Sequence, residues 1–334
     1  DTELTLNSIF LPTLAVYSNN YELYGKGEIS YLSNNIQLSF NVSELYINFY
    51  PIDELFVKIG RFPYLPGTAE FFSNTNFFGS TNMEKLLSGN LRSASVNSDL
   101  IQSGLFLGDH YFVLTFEPFP GYPQIPDIDS PWFPMKDIPE SIHISFPVEQ
   151  DLPLANLTID EEPITSTLAD SSVSLEIGTT TGMLDISLLY FHGLDKSLVF
   201  QGEMDFPYGL FRSYDINLNR IKNTVDLFGF NSAISFSSFR FWTDISYLYN
   251  RVFTTDKLAA DSFTIVLSEV PALSATVGIS WEHYSTKYEL LLLSEYYHLF
   301  IFSDDSFLTP PLFTNILSVM GNLSFPAIKT GFNL

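Results

Sequence analysis

Residues 239–250 read FRFWTDISYLYN. Phe239, Phe241, Thr243, Ile245, Tyr247 and Tyr249 fall on one face of an extended chain. Arg240, Trp242, Asp244, Ser246, Leu248 and Asn250 fall on the other. The period is two, which is a strand and not a helix. What decides the fold is the solvent each face meets. In a soluble sandwich the apolar face meets a core and the polar face meets bulk water. In a membrane-spanning barrel the apolar face meets lipid and the polar face lines the interior.

The same alternation recurs along the chain. Ile36, Leu38, Phe40 and Val42 alternate with polar residues, and then the phase flips so that Leu45, Ile47 and Phe49 are apolar. A flip of phase needs a bulge or a change of strand at 42–45. Leu55, Val57 and Ile59 form a return strand after the turn YPIDEL. Runs at 184–190, 228–236, 273–282 and 288–296 repeat the pattern. Several reach about 9–14 residues, which suits a tilted membrane crossing and exceeds the usual soluble strand of about 5–6. Short turns are expected at 108–110 (GDH), 180–182 (TTG), 192–196 (HGLDK) and 285–287 (STK). Short turns alternating with long excursions predict an all-β, up-and-down antiparallel transmembrane β-barrel of about 14 strands, within a range of 12–16.

Composition points the same way. Aromatics make up 16% of the 334 residues and charged residues only 16%, against about 25% charged in ordinary soluble domains. The longest apolar run, LLLL at 290–293, is far short of the roughly 20 residues of a spanning helix. A closed barrel is then the available membrane solution, because its strands satisfy each other's backbone groups. The net charge of −23 excludes nucleic acid, whose binders need a basic face, and docking through a polybasic patch. With no Cys there is no disulfide framework, thiol nucleophile or Cys–zinc site. The chain starts at Asp1 without Met and reads as processed or trimmed.

Two excursions are long. Residues 64–99 are rich in Asn, Ser, Gly and Phe, with MEKLL at 83–87 as a helical turn. Residues 118–171 hold ten of the nineteen prolines and are acidic. Proline cannot donate to a ladder, so a central strand is not expected there. Trp132, Phe133, Phe119, Tyr122 and Phe146 give that segment apolar anchors, and it is expected to fold into the lumen or cap one mouth. Asp127, Asp129, Trp132, Arg212 and Arg220 are its candidate constriction residues, together with the 205–224 segment.

Enzyme signals are poor. His110, His143, His192, His283 and His298 are scattered without metal spacing, and there is no G-x-S-x-G elbow, P-loop or G-x-G-x-x-G. Asp127 with Asp129, and the run Asp160–Glu162, carry oxygen ligands but lack EF-hand spacing, so they read as solvated loop charge. No cofactor, metal or catalytic residue is predicted. The informative charges sit on the polar side of the strands: Lys58, Glu176, Asp185, Glu203, Asp205, Arg240, Asp244, Glu282, Glu289 and Glu295. On a lipid face at mid-bilayer the worst of such charges would cost ~2–4 kcal/mol, so in a barrel they line the pore. Tyr247, Tyr249, Trp281 and Tyr296 near strand ends read as an aromatic girdle.

Residues 43–61, SELYINFYPIDELFVKIGR, carry a family resemblance. A strand with Glu44, Leu45, Tyr46 and Ile47, a tight turn, and a return strand ending in Ile59, Gly60 and Arg61 resemble the early hairpin of porin-like families. These are the phosphate- or carbohydrate-selective porins and the alginate-export-like barrels. The resemblance implies a barrel across the bacterial outer membrane with a water-filled or loop-plugged lumen. Those families often continue with Gln, where Phe62 and Pro63 stand here, so no solute specificity carries over. Such barrels also commonly end on a terminal aromatic, whereas Phe332 is third from the end here.

The expected function is passive diffusion of small hydrophilic solutes through an outer-membrane porin-like channel, with cations preferred by the acidic lining. Its partners are then outer-membrane lipid and solute. A homo-oligomer is allowed, with no readable interface. Two alternatives stand beside it. One is a non-conducting structural or adhesin barrel acting through its loops. The other is a soluble secreted β-protein that binds carbohydrate with its aromatics.

Overall fold

The computed structural model describes residues 7–10, 12–32, 37–64, 66–70, 73–81, 95–121, 141–144, 150–161, 168–197, 199–206, 213–258, 264–285, 288–303, 314–325 and 330–333. The chain opens with β1 (Asn7–Phe10), β2 (Thr13–Tyr17), β3 (Tyr21–Leu32), β4 (Gln37–Ile52) and β5 (Leu55–Phe62). The two-residue strands β6 (Ser80–Thr81) and β7 (Ser95–Val96) lie in the first long connection. Then come β8 (Ser98–Leu107), β9 (His110–Glu117), β10 (Ser141–Ile144), β11 (Gln150–Glu161), β12 (Ser172–Thr181) and β13 (Leu184–Leu194). They are followed by β14 (Phe200–Asp205), β15 (Tyr214–Arg220), β16 (Thr224–Phe236), β17 (Phe239–Leu258) and β18 (Ile265–Tyr284). The last are β19 (Glu289–Ile301), β20 (Asn315–Phe325) and β21 (Thr330–Asn333).

Fifteen strands form one antiparallel sheet in chain order, interrupted only where β6, β7, β10, β11, β14 and β15 leave it. β1 and β2 pair end to end along the same side of β3, so the sheet is fourteen positions wide. It is an up-and-down meander. Every second connection is tight, at 53–54, 108–109, 182–183 and 237–238. The opposite end carries the long connections, at 63–97, 118–171, 195–223 and 302–314, with shorter ones at 33–36 and 259–264. The expected turn at 192–196 is not among the tight ones. β13 runs on to Leu194, and His192 lies within it, opposite Asp226. The expected phase flip is a bulge at Ser43, the extra residue between the pairs Gly27–Val42 and Lys26–Glu44.

The sheet curls. Tyr46 of β4 and Leu299 of β19 belong to one cluster with Phe62, Leu100, Phe191, Leu227 and Leu248. In a flat sheet those two strands would lie about 43 Å apart at ~4.8 Å per strand. The concave face curves around the chain that follows β5. No pairing joins β21 to β1 or β2 among the described residues.

The convex face is apolar and uncovered. On β17, Phe239 and Phe241 keep 42% and 45% of their surface exposed, while Asp244 keeps 0%. That inverts the soluble rule, in which large apolar side chains go inside and carboxylates stay out. Leu188, Phe228, Ile234, Val277, Leu317 and Val319 continue the exposed apolar band. Aromatics gather at both of its ends, with Tyr190, Tyr247, Tyr296 and Phe302 toward the long connections and Phe106, Phe236, Tyr284 and Tyr288 toward the tight turns. This is the banded surface of a barrel bathed in lipid.

The prolines of 118–171 do not keep that segment strand-free. β10 and β11 lie in a separate four-stranded sheet, ordered β10-β11-β15-β14. Residues 150–153 of β11 pair only with β10, and 154–161 only with β15, in parallel. Pro153 therefore has a neighbour on one side and needs no second ladder bond. The sheet meets the wall at its long-connection end, through the bridge Glu203–Thr264.

Candidate functional site

The connection between β5 and β8 turns into the concave face. Pro66-Gly67 makes the turn. Gly67 has φ of 99°, and a Cβ there would lie 2.5 Å from Oδ2 of Asp244 and 2.7 Å from Oγ1 of Thr75. Glycine is thus required both by conformation and by the approach of backbone to carboxylate. Asp244 accepts the backbone N–H of Thr68 at 3.0 Å and of Ala69 at 2.9 Å, and the Thr68 hydroxyl at 2.5 Å. The side-chain amide of Asn74 donates to the Asp244 carbonyl at 2.8 Å. Glu295 on β19, also fully buried, accepts the Glu70 N–H at 2.6 Å and the Trp242 indole N–H at 2.7 Å. Three consecutive loop N–H groups thereby end on two wall carboxylates. Bonds to charged acceptors are the strong ones, and here they substitute for the ladder bonds the loop lacks.

Four further contacts fix the loop. Glu176 on β12 accepts the hydroxyls of Tyr64 at 3.0 Å and of Tyr111 at 3.1 Å. Burial, and then the Glu176 charge, push the Tyr64 phenol up, which keeps it a donor. Arg240 pairs with Glu70 at 3.0 Å. At the long-connection end Lys196 reaches both oxygens of Glu117, at 2.7 and 3.0 Å, and donates to the Phe78 carbonyl. Burial lowers the Lys196 pKa, and the Glu117 carboxylate opposes that shift. Phe78 packs edge-on to Phe191 with ring centroids 5.2 Å apart.

Of the sequence candidates, the structure brings Glu176, Arg240, Asp244 and Glu295 together around this loop. Asp185 shares their inward register on β13. Lys58 lies over the rings of Tyr46 and Phe62, 3.8 and 4.3 Å from their centroids. Glu282 and Glu289 sit near the tight-turn end and bond to Tyr284 and Ser324. Glu203 and Asp205 are corrected: they belong to β14 of the small sheet, not to the wall. Arg220 is corrected too, being buried in β15 and not placed in a loop. Asp127, Asp129, Trp132 and Arg212 lie outside the described residues, as does the expected helical turn at 83–87. Sequence reasoning missed Tyr64, Thr68, Glu70, Asn74, Glu117 and Lys196. The Pro-Gly pair marks a turn, but nothing local says that it turns inward. Among the described residues no group of three His, Cys, Asp or Glu side chains is placed to hold a metal.

The wall and the loop it encloses define a membrane-type β-barrel with an occupied interior. No family model matches the chain, and no curated protein does. Similar solved structures include the OmpF of Salmonella typhi in complex with daunomycin, with a TM-score of 0.48 and 7% identity, covering 96% of this chain and 78% of that one. OmpT, an outer membrane protein of Vibrio cholerae folded in vitro, gives 0.43 and 10%, covering 96% and 78%. The anion-selective porin of Comamonas acidovorans gives 0.42 and 8%, covering 98% and 83%.

Proposed function

We propose that this chain is a porin-like channel of the bacterial outer membrane. It passes small hydrophilic solutes by diffusion, performs no catalysis, and uses the loop of residues 63–79 as its constriction. The observation that carries the reading is the inverted distribution on β17, with Phe239 and Phe241 exposed and Asp244 buried. A soluble carbohydrate-binding sheet would be left with that apolar band in water.

Cation preference follows from which charges are already answered. Arg240 is paired with Glu70, and Lys58 is held over two rings. Glu282 and Glu289 remain exposed near one mouth, and the chain carries −23 overall. Such a field favours cation entry, screened within about 8 Å at physiological salt. Discrete conductance steps in a planar bilayer, with a reversal potential of cation-selective sign across a KCl gradient, are the expected result. An anion-selective sign would reject the preference and make Arg240 the first residue to change.

The non-conducting barrel is the second reading. It is favoured by the fixing of three loop N–H groups on buried carboxylates, which gives the loop the order of a plug. Well-folded protein with no steps would select it.

A further inference from the structure

The outward face of β18 and β19 carries a groove of about 280 Å³ lined by Ala275, Val277, Tyr296, His298 and Phe300. It opens where Ala275, the smallest outward residue of β18, stands opposite His298. A polar trio adjoins it. The Tyr296 hydroxyl donates to Oδ1 of Asn315 at 3.0 Å, and Nδ1 of His298 meets the same oxygen. His298 and Asn315 are directly paired residues of β19 and β20, near their long-connection ends.

The trio has a counterpart on the same rim. Tyr190 and His192 of β13 both bond Oδ1 of Asp226 on β16, at 2.7 and 2.9 Å, and His192 and Asp226 are again directly paired. Tyr-x-His against an Asx on the next wall strand thus occurs twice where the apolar band ends. The two differ in charge. Asp226 brings a carboxylate to His192 within the protein. Asn315 is neutral, so an anion beside His298 meets no opposing carboxylate in this trio. Among the described residues Nε2 of His298 has no partner.

Resting on the membrane reading above, we propose that this groove binds one acyl chain of a phosphorylated lipid, whose phosphate lies against Nε2 of His298. An apolar trough beside a polar trio at the edge of the band is complementary to an amphiphile. The neutral Asn315 selects an anionic head, because a charge-assisted bond to phosphate is stronger than one to a hydroxyl.

Native mass spectrometry of the detergent-folded protein, titrated with dimyristoyl phosphatidic acid and separately with dimyristoylglycerol, tests this. One saturable phosphatidic acid site is expected, bound about tenfold more tightly than the glycerolipid, as one charged hydrogen bond provides. Ala275→Trp fills the trough from the outer face and should remove both ligands. His298→Phe and Asn315→Asp should remove the phosphate preference and leave the glycerolipid bound. Equal binding by wild type and Ala275→Trp overturns the proposal, as does equal affinity for the two lipids. If Ala275→Trp instead disperses an oligomer while lipid binding is unchanged, the groove seats a second copy and the proposal is wrong. Failure of the membrane reading is separate: the protein would be soluble without detergent and would not insert into liposomes.

Discussion

The wall of this barrel and the loop inside it are stabilised by opposite means. The wall is periodic: each strand satisfies its neighbour's backbone, and the side chains only have to alternate. The loop that follows β5 has no period, and its described residues 63–64, 66–70 and 73–79 join no ladder. Its backbone is satisfied by single side chains reaching from distant strands, such as Asp244 and Glu295. A periodic wall tolerates change at any one position so long as the face is respected. A loop held by a few acceptors fails wherever one of them is lost.

The largest effect should come from the latch at the long-connection end. Lys196→Met leaves the Glu117 carboxylate buried without its ion pair and should cost about 3–5 kcal/mol, read by urea unfolding of the folded barrel. Pairing it with Glu117→Gln should restore much of the loss, and an unchanged midpoint in the single variant would show the latch to be dispensable. Next comes the wall face. Phe230→Arg places a charge on the exposed apolar side of β16 and should cost about 2–4 kcal/mol at mid-bilayer. Thr158→Arg, on the exposed side of the small sheet, should stay within about 0.5 kcal/mol. Equal costs would mean that the two surfaces meet the same solvent.

Asp244→Ala orphans the N–H groups of Thr68 and Ala69, at about 1–3 kcal/mol each if they stay buried. The loop should release instead, seen as faster proteolysis within 63–79 and a larger conductance step. Asp244→Asn keeps one acceptor oxygen and should fall between. Gly67→Ala acts on the same anchor from the loop side, adding about 1–3 kcal/mol of backbone strain to a Cβ 2.5 Å from Oδ2 of Asp244, which must shift to admit it. It should shift proteolysis in the same direction as Asp244→Ala, and resistance equal to wild type would separate turn from anchor.

The same contrast explains what could be read from the sequence. Alternation fixes the face of every wall residue, and a phase flip located the Ser43 bulge. Asp244 and Glu295 were legible as inward carboxylates because they sit in such runs. Their partners were not, since Thr68 is 176 residues from Asp244 along the chain and no local pattern records such a contact. Period two also says nothing about which sheet a strand joins, so Glu203 and Asp205 were placed on the wall when β14 lies in the small sheet. The stretch HGLDK at 192–196 reads as a turn, but Gly193 sits inside β13, where a Cβ would lie 2.3 Å from Oγ of Ser172; the glycine serves close strand approach, not chain reversal.

The two faces of 239–250 meet different media, and the absence of Cys makes that difference measurable. Single Cys variants along this stretch, leaving Asp244 in place, can be spin-labelled and read by power saturation in liposomes. Labels at Phe239, Phe241, Ile245 and Tyr247 should collide with oxygen and not with a water-soluble relaxant, while labels at Trp242, Ser246 and Leu248 should show little oxygen. A water-soluble relaxant reaching Phe241 and Tyr247 as freely as oxygen does would contradict it.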